Sequence, residues 1–327
     1  MVWVRFLGSA VFIVLAATQL AKYGDIIGLR TGISGMFIGV LLLAGATSLP
    51  ELLTAANAVR EGAPDLTAGD LLGSNTINML LLAILDMVHV HKRILRNAAM
   101  KHALSGSLAI FMIGLVVYFI LADVDIMIGW VGLDSLIIII MYIIGVRLIQ
   151  GNSPHHAAPG MAEEIPDGTP TLKQGIIGFA IAAGVLFLAT PVMVRSSNEI
   201  AELTGLGATL VGTAMVAVVT SLPETVTTIS AIRFGSEDMA IGNLFGSNMF
   251  NMFAMGMADV FYTQGRFLSV IDPSFLLVGM TGLLMTGMGL IGNIAKLEKR
   301  ILFIELDALA LILVYAFSMW LLFNRGI

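Results

Sequence analysis

The sequence predicts an all-α polytopic membrane protein, ten transmembrane helices in two inverted five-helix repeats, with the second and seventh helices broken. Three observations carry that prediction. Of the 327 residues, 57% are hydrophobic and 12% charged, against about 25% charged in soluble domains. So little polar surface suits a chain whose solvent is lipid. Apolar runs of roughly 18 to 25 residues, the length that crosses about 30 Å of hydrocarbon as a helix, recur along the whole chain. Finally, about 20 of the 48 positions from Gly39 to Asp86 are identical to those from Gly212 to Asp259, at a constant offset of 173 that needs no gap. Five spans per half is an odd number, so the second copy enters the membrane from the opposite side. Inverted pairs of this kind are characteristic of secondary transporters, whose binding sites lie between the repeats near the bilayer midplane.

The first span, near residues 4–21, is followed at once by further spans and reads as a retained helix, not a cleaved signal. The second, near 32–60, is interrupted by "SLPE", and the third, near 67–88, opens with "TAGD" and carries "GSNTIN". Spans four and five, near 99–122 and 126–149, are long continuous apolar runs. Residues 1–149 thus form the first repeat. The segment 150–172 is rich in Pro, Gly and acids and reads as a linker without a packed core; its His155 and His156 make an ordinary solvated pair. The second repeat, 173–327, holds spans near 174–196, 206–233 with another "SLPE", 238–262 with "GSNMFN", 274–294 and 301–323. With the N-terminus outside, twelve Lys and Arg fall on inside loops and five on outside ones, so the positive-inside rule puts both termini outside and the linker in the cytoplasm.

Each break has a physical meaning. Pro50 and Pro223 lack an N–H, so the carbonyls of Ala46 and Val219 are expected to lose their helical donors. A freed carbonyl in hydrocarbon costs several kcal/mol and is tolerated only against protein, water or a cation. Glu51 and Glu224 follow at once, and an ionised carboxylate at this depth calls for a cation partner. Oxygen ligands suit hard ions such as Ca²⁺ and Na⁺. Ser74 with Asn78, and Ser247 with Asn251, are four apart and share a helix face that could complete an oxygen cage. Gly69, Gly73, Gly242 and Gly246 read as close-packing positions.

On these residues the sequence resembles the cation/calcium antiporter superfamily, and in particular the prokaryotic sodium/calcium exchangers. Its signature is the duplicated "TSLPE…GSNTIN" and "TSLPE…GSNMFN", and the likeness covers essentially the whole chain. The resemblance implies Glu51 and Glu224 as shared ligands of calcium and sodium. It adds main-chain carbonyls of Thr47, Thr220, Ala44 and Ala217, hydroxyls of Ser48, Ser221, Ser74 and Ser247, and the amides of Asn78 and Asn251. It also implies that the first and sixth spans, with "GSAVFIVLAA" and "GFAIAAGVLFLA", slide across an eight-helix core. Two departures stand out. Many sodium/calcium exchangers carry aspartate at the position of Asn251, which here leaves a core with two carboxylates, and the glycine before the motif threonine is replaced by Ala46 and Val219.

The functional expectation is sodium-driven calcium antiport by alternating access in the plasma or inner membrane. A proton-coupled antiporter for calcium or another divalent cation is the alternative, although protons need no hydroxyl-rich cage. No cofactor and no nucleic-acid partner is called for: calcium and sodium are cargo, the bilayer is the surrounding, and nothing sets an oligomeric state beyond the monomer. An enzyme is not expected, since the five histidines form no HExxH pattern and Cys is absent. Asp86 and Asp259 match across the repeats and read as boundary residues. Asp70, whose counterpart is Asn243, breaks the symmetry. It reads either as part of a capping box with Thr67 or as a cation-concentrating carboxylate in an outer vestibule.

Overall fold

The computed structural model describes residues 1–31, 44–88, 94–152, 169–205, 210–233, 237–295, 300–301 and 304–325. The first part of the second span, most of the linker with His155 and His156, and the loop cations Lys92, Arg93, Lys296 and Lys299 lie outside them.

The described chain is almost wholly helical. In order come α1 (Val2–Thr31), the short α2 (Ala44–Thr47), α3 (Leu49–Arg60), α4 (Pro64–Val88), α5 (Ile94–Ala122), and α6 (Leu133–Asn152). After the linker follow α7 (Leu172–Thr204), a π-helical turn (Val211–Val216) running into α8 (Ala217–Thr220), α9 (Leu222–Arg233), α10 (Glu237–Phe261), α11 (Phe275–Ala295) and α12 (Leu306–Arg325). Among the described residues six helices are long and apolar enough to cross a membrane, and two shorter ones, Val211–Thr220 and Phe275–Ile291, are apolar as well.

Element bounds recur at the spacing found in the sequence. Adding 173 carries α2 onto α8, α3 onto α9, α4 onto α10 and α6 onto α12, residue for residue at both ends. Even the antiparallel hairpin β1 (Met127–Ile128) with β2 (Val131–Gly132) has its counterpart in β3 (Arg300–Ile301) with β4 (Ile304–Glu305), although "MIGWVG" and "RILFIE" share only an isoleucine. Gly129 supplies the positive φ of the first turn.

Burial runs inside out for a water-soluble protein. Large apolar side chains face outward, among them Leu7, Phe12 and Leu15 on α1, Ile181, Phe187 and Leu188 on α7, and Phe317, Trp320 and Phe323 on α12. The centre instead holds Thr47, Ser48, Glu51, Asp70, Ser74, Asn78, Thr220, Glu224 and Asn251, all fully buried. Lipid solvates such a surface, and helices satisfy their own backbone within it.

Two packing units result. The main core gathers α4, α5, α6, α10, α11 and α12, with Leu72, Met79, Phe245, Met249 and Phe275 at its middle. A second cluster joins α1 to α7 through Phe6, Ile13, Leu20, Leu186, Met193 and Ile200. These two helices are 30 and 33 residues long, well beyond the apolar stretches that mark their spans, and Gly175 receives Ile26 and Ile27 where they cross. Thr171 and Gln174 close a capping box at the start of α7, Gly205 ends it in the left-handed conformation, and Arg30 holds the carbonyls of Thr169 and Pro170.

Candidate cation site

The two breaks have matching geometry. Ser48 sits between α2 and α3 at φ −90°, ψ 9°, and Ser221 between α8 and α9 at φ −83°, ψ 2°. Each proline is the second residue of the half-helix that follows, where its missing N–H costs least. One expectation needs revision. Val219 is not left without a donor, because the Ser221 N–H turns back onto the carbonyls of Ala217 and Val219. Ala217 O also lies 3.3 Å from the Thr220 hydroxyl, so its carbonyl is engaged within its own half-helix. Ala44 opens α2.

Across the centre, side chains of one half meet those of the other. Ser48 Oγ donates to Glu224 Oε1 at 2.7 Å, and Thr47 also bonds to Glu224. Glu51 lies against Ser221, within charge range of Glu224 and Asp70. About three turns into α4 and α10 the amides interlock: Asn78 Nδ2 donates to Asn248 Oδ1 at 2.9 Å, and Asn251 Nδ2 donates to Asn75 Oδ1 at 3.1 Å. The same offset relates these two bonds, since Asn78 corresponds to Asn251 and Asn75 to Asn248. Ser74 and Ser247 are fully buried one turn before their asparagines.

What the protein leaves unpaired is almost all oxygen. Glu51 Oε2, Glu224 Oε2, Asp70 Oδ2, the hydroxyls of Ser74, Ser221 and Ser247, and the Oδ1 atoms of Asn78 and Asn251 are buried without a hydrogen-bond partner. Buried polar atoms are normally satisfied. A concentration of orphan oxygens beside carboxylates is the donor set of a hard cation.

Asp70 corrects the sequence reading twice. α4 begins at Pro64 with Asp65 in its first turn, and Thr67 gives its hydroxyl to Ala55 O, so Thr67 and Asp70 form no capping box. Nor does Asp70 line an open vestibule: it is 0% exposed, and its Oδ1 accepts the Thr220 hydroxyl at 2.7 Å. The cause is the close crossing of α4 with the π-helical turn. A Cβ on Gly69 would stand 2.9 Å from Gly212 Cα, and one on Gly73 2.8 Å from Thr213 Cα, so the broken helix of the other half covers Asp70. Among the described residues Asp70 is therefore a third buried carboxylate beside Glu51 and Glu224.

Asn75 and Asn248 were missed as well. Their signal was present in "GSNxxN", where the first asparagine stands three residues before the second on the same face. Asp259, matched with Asp86, accepts the N–H groups of Gly132 and Phe267 at 2.6 Å each and fixes the chain ends around the first hairpin.

A model of the sodium/calcium exchanger protein family matches residues 1–149 and 174–324. The chain belongs to that family. Among curated relatives, the inner membrane protein YrbG of Escherichia coli is 27% identical over 269 residues, 80% of this chain and 78% of the relative. The sodium/calcium exchanger MaX1 of Methanosarcina acetivorans is 27% identical over 291 residues, 77% of this chain and 81% of the relative. A solved structure of the sodium-calcium exchanger NCX_Mj, soaked with Na⁺ and Sr²⁺, superimposes with a TM-score of 0.59 at 19% identity, covering 98% of this chain and 99% of that one. This exchanger-family chain is thus a multi-pass membrane protein of cation/calcium antiport, with the transporter fold that the NCX_Mj match shows.

Proposed function

We propose that the protein exchanges sodium for calcium by alternating access at one central site built on Glu51 and Glu224. Two carboxylates neutralise one Ca²⁺. The same oxygens, rearranged, hold Na⁺, and because the ions compete for them neither crosses without the other. The observation that carries this reading is the two-fold interlock: Ser48 with Glu224 and the paired amides Asn78–Asn248 and Asn251–Asn75 join the halves around unpaired buried oxygens. Thr47, Ser48, Ser74, Asn78 and Ala44 from one half, with Thr220, Ser221, Ser247, Asn251 and Ala217 from the other, complete the ligand set.

The architecture that serves this mechanism is ten spans in two inverted repeats, 1–149 and 173–327, joined by a cytoplasmic linker at 150–172. Recurrence of element bounds at 173 residues supports the repeat. The α1/α7 pair, with its own apolar cluster, supports sliding across the remaining helices. Cys is absent, so Lys173→Cys offers a single label site, and an impermeant thiol reagent added outside intact cells should leave it unmodified.

Purified protein in liposomes tests the exchange directly. An outward sodium gradient at fixed pH should drive ⁴⁵Ca²⁺ uptake, and a proton gradient at equal sodium should not. The reverse pattern would assign the protein to proton-coupled antiport.

A further inference from the structure

We propose that Asp70 is a third cation-binding carboxylate of the buried polar centre, forming with Thr220 a sodium subsite that exists in one half of the pair only. The proposal rests on the exchange reading above and names a ligand that reading does not include. Its basis is an oxygen cluster short of protons. The Thr220 hydroxyl lies 2.7 Å from Asp70 Oδ1, 3.0 Å from Val216 O and 3.3 Å from Ala217 O. One hydroxyl proton faces three acceptors. Asp70 Oδ2 is buried with no hydrogen-bond partner, and among the described residues no Lys or Arg contributes to the charge balance around it. The charges that act on it come from Glu224 and Glu51.

An all-oxygen cluster with one formal negative charge suits a hard monovalent cation. Charge counting leads the same way. Three carboxylates buried within charge range of one another strongly disfavour one another unless cations balance them. Calcium offsets the charge of two. The third is left for a monovalent ion, and in the sodium-loaded state Asp70 makes room for one Na⁺ beyond those the glutamates hold. The second half has no such place, because Asn243 carries no charge and gives its amide to Thr228 at 3.1 Å.

Asp70→Asn isolates the charge, since the amide oxygen can still accept the Thr220 hydroxyl. Displacement of bound ⁴⁵Ca²⁺ by Na⁺ is measured on the purified protein, and charge moved per Ca²⁺ is read in liposomes from the voltage at which flux reverses. The variant should need about ten-fold more Na⁺ for displacement, equal to about 1.4 kcal/mol, and should move one Na⁺ fewer per Ca²⁺. Unchanged displacement by a folded variant overturns the proposal, whether or not that variant transports. If Asp70→Asn does not fold, Asp70→Glu keeps the charge and shifts its position: coupling is then retained while Na⁺ potency changes, and unaltered potency overturns the proposal. Absence of sodium-driven uptake by the unsubstituted protein would instead sink the exchange reading.

Discussion

Helices α4 and α10 carry the same GSNxxN face on matched backbones, yet they differ in where they tolerate difference. Asn75, Asn78, Asn248 and Asn251 are kept in both halves, whereas Asp70 faces Asn243 across the repeat alignment. The contacts explain it. Each of these amides meets a residue of its own motif in the other half, Asn78 with Asn248 and Asn251 with Asn75, so a change in one must be answered by its partner. Asp70 meets Thr220 of the other half, while Asn243 meets Thr228 of its own. At these positions the two copies have different neighbours.

Removing one charge from the Glu51/Glu224 pair should have the largest effect. Glu51→Gln and Glu224→Gln should each lower sodium-driven ⁴⁵Ca²⁺ flux by at least 100-fold, or about 3 kcal/mol, because at the proposed site a divalent ion would lose one of its two anions. Both variants should keep the wild-type melting temperature, since a neutral amide is easier to hold in the membrane. Near-wild-type flux in either would refute the shared site. Losses differing by orders of magnitude would refute the equivalence of the halves.

A smaller effect probes the crossing that buries Asp70. In Gly73→Ala the new methyl carbon would stand 2.8 Å from Thr213 Cα and 2.9 Å from Thr213 O, both backbone atoms that cannot rotate away. Overpacking of this kind costs about 1–3 kcal/mol, read as a lower melting temperature in detergent. Gly8→Ala, with nothing within 4 Å of its methyl, is the control and should melt as the wild type does. Equal stability of the two variants would mean that α4 does not approach the π-helical turn this closely.

Much of this was legible in the sequence, and what was not has identifiable causes. The breaks announce themselves through proline, although the bend falls two residues earlier, at Ser48 and Ser221. Hydropathy marks where α1 and α7 are apolar, but both run on through polar turns containing Lys22 and Arg30, or Arg195 and Glu199, where a lipid scale has nothing to detect. The repeat was visible from residue 39 to 86, while the hairpin at 127–132 keeps its register with 300–305 after its sequence has diverged, because backbone pairing constrains side chains weakly. Asp70 was misplaced for a different reason. Helix rise gave its position along α4 relative to Ser74, and a helical wheel gave its face, but neither reveals that another helix crosses there. The clue was the pair of glycines around it.

The finest distinction lies within the amide pairs themselves. Asn248 donates from its Nδ2 to Thr286 at 3.3 Å, and the Thr286 hydroxyl is committed to Gly282 O at 2.7 Å. Asn75 Nδ2 has no partner. In Asn251→Asp the new carboxylate faces Asn75 Oδ1, and a flip of the Asn75 amide turns a donor toward it at no loss elsewhere. In Asn78→Asp the same remedy requires Asn248 to flip, which surrenders its bond to Thr286 and sets two acceptors against each other. Asn78→Asp should therefore be the less stable of the two by about 1 kcal/mol, the usual worth of one buried hydrogen bond. Thermal melts of both variants in the same sodium-free buffer measure the difference. Equal melting temperatures, or a lower one for Asn251→Asp, would show that the Thr286 contact does not set the cost of these substitutions.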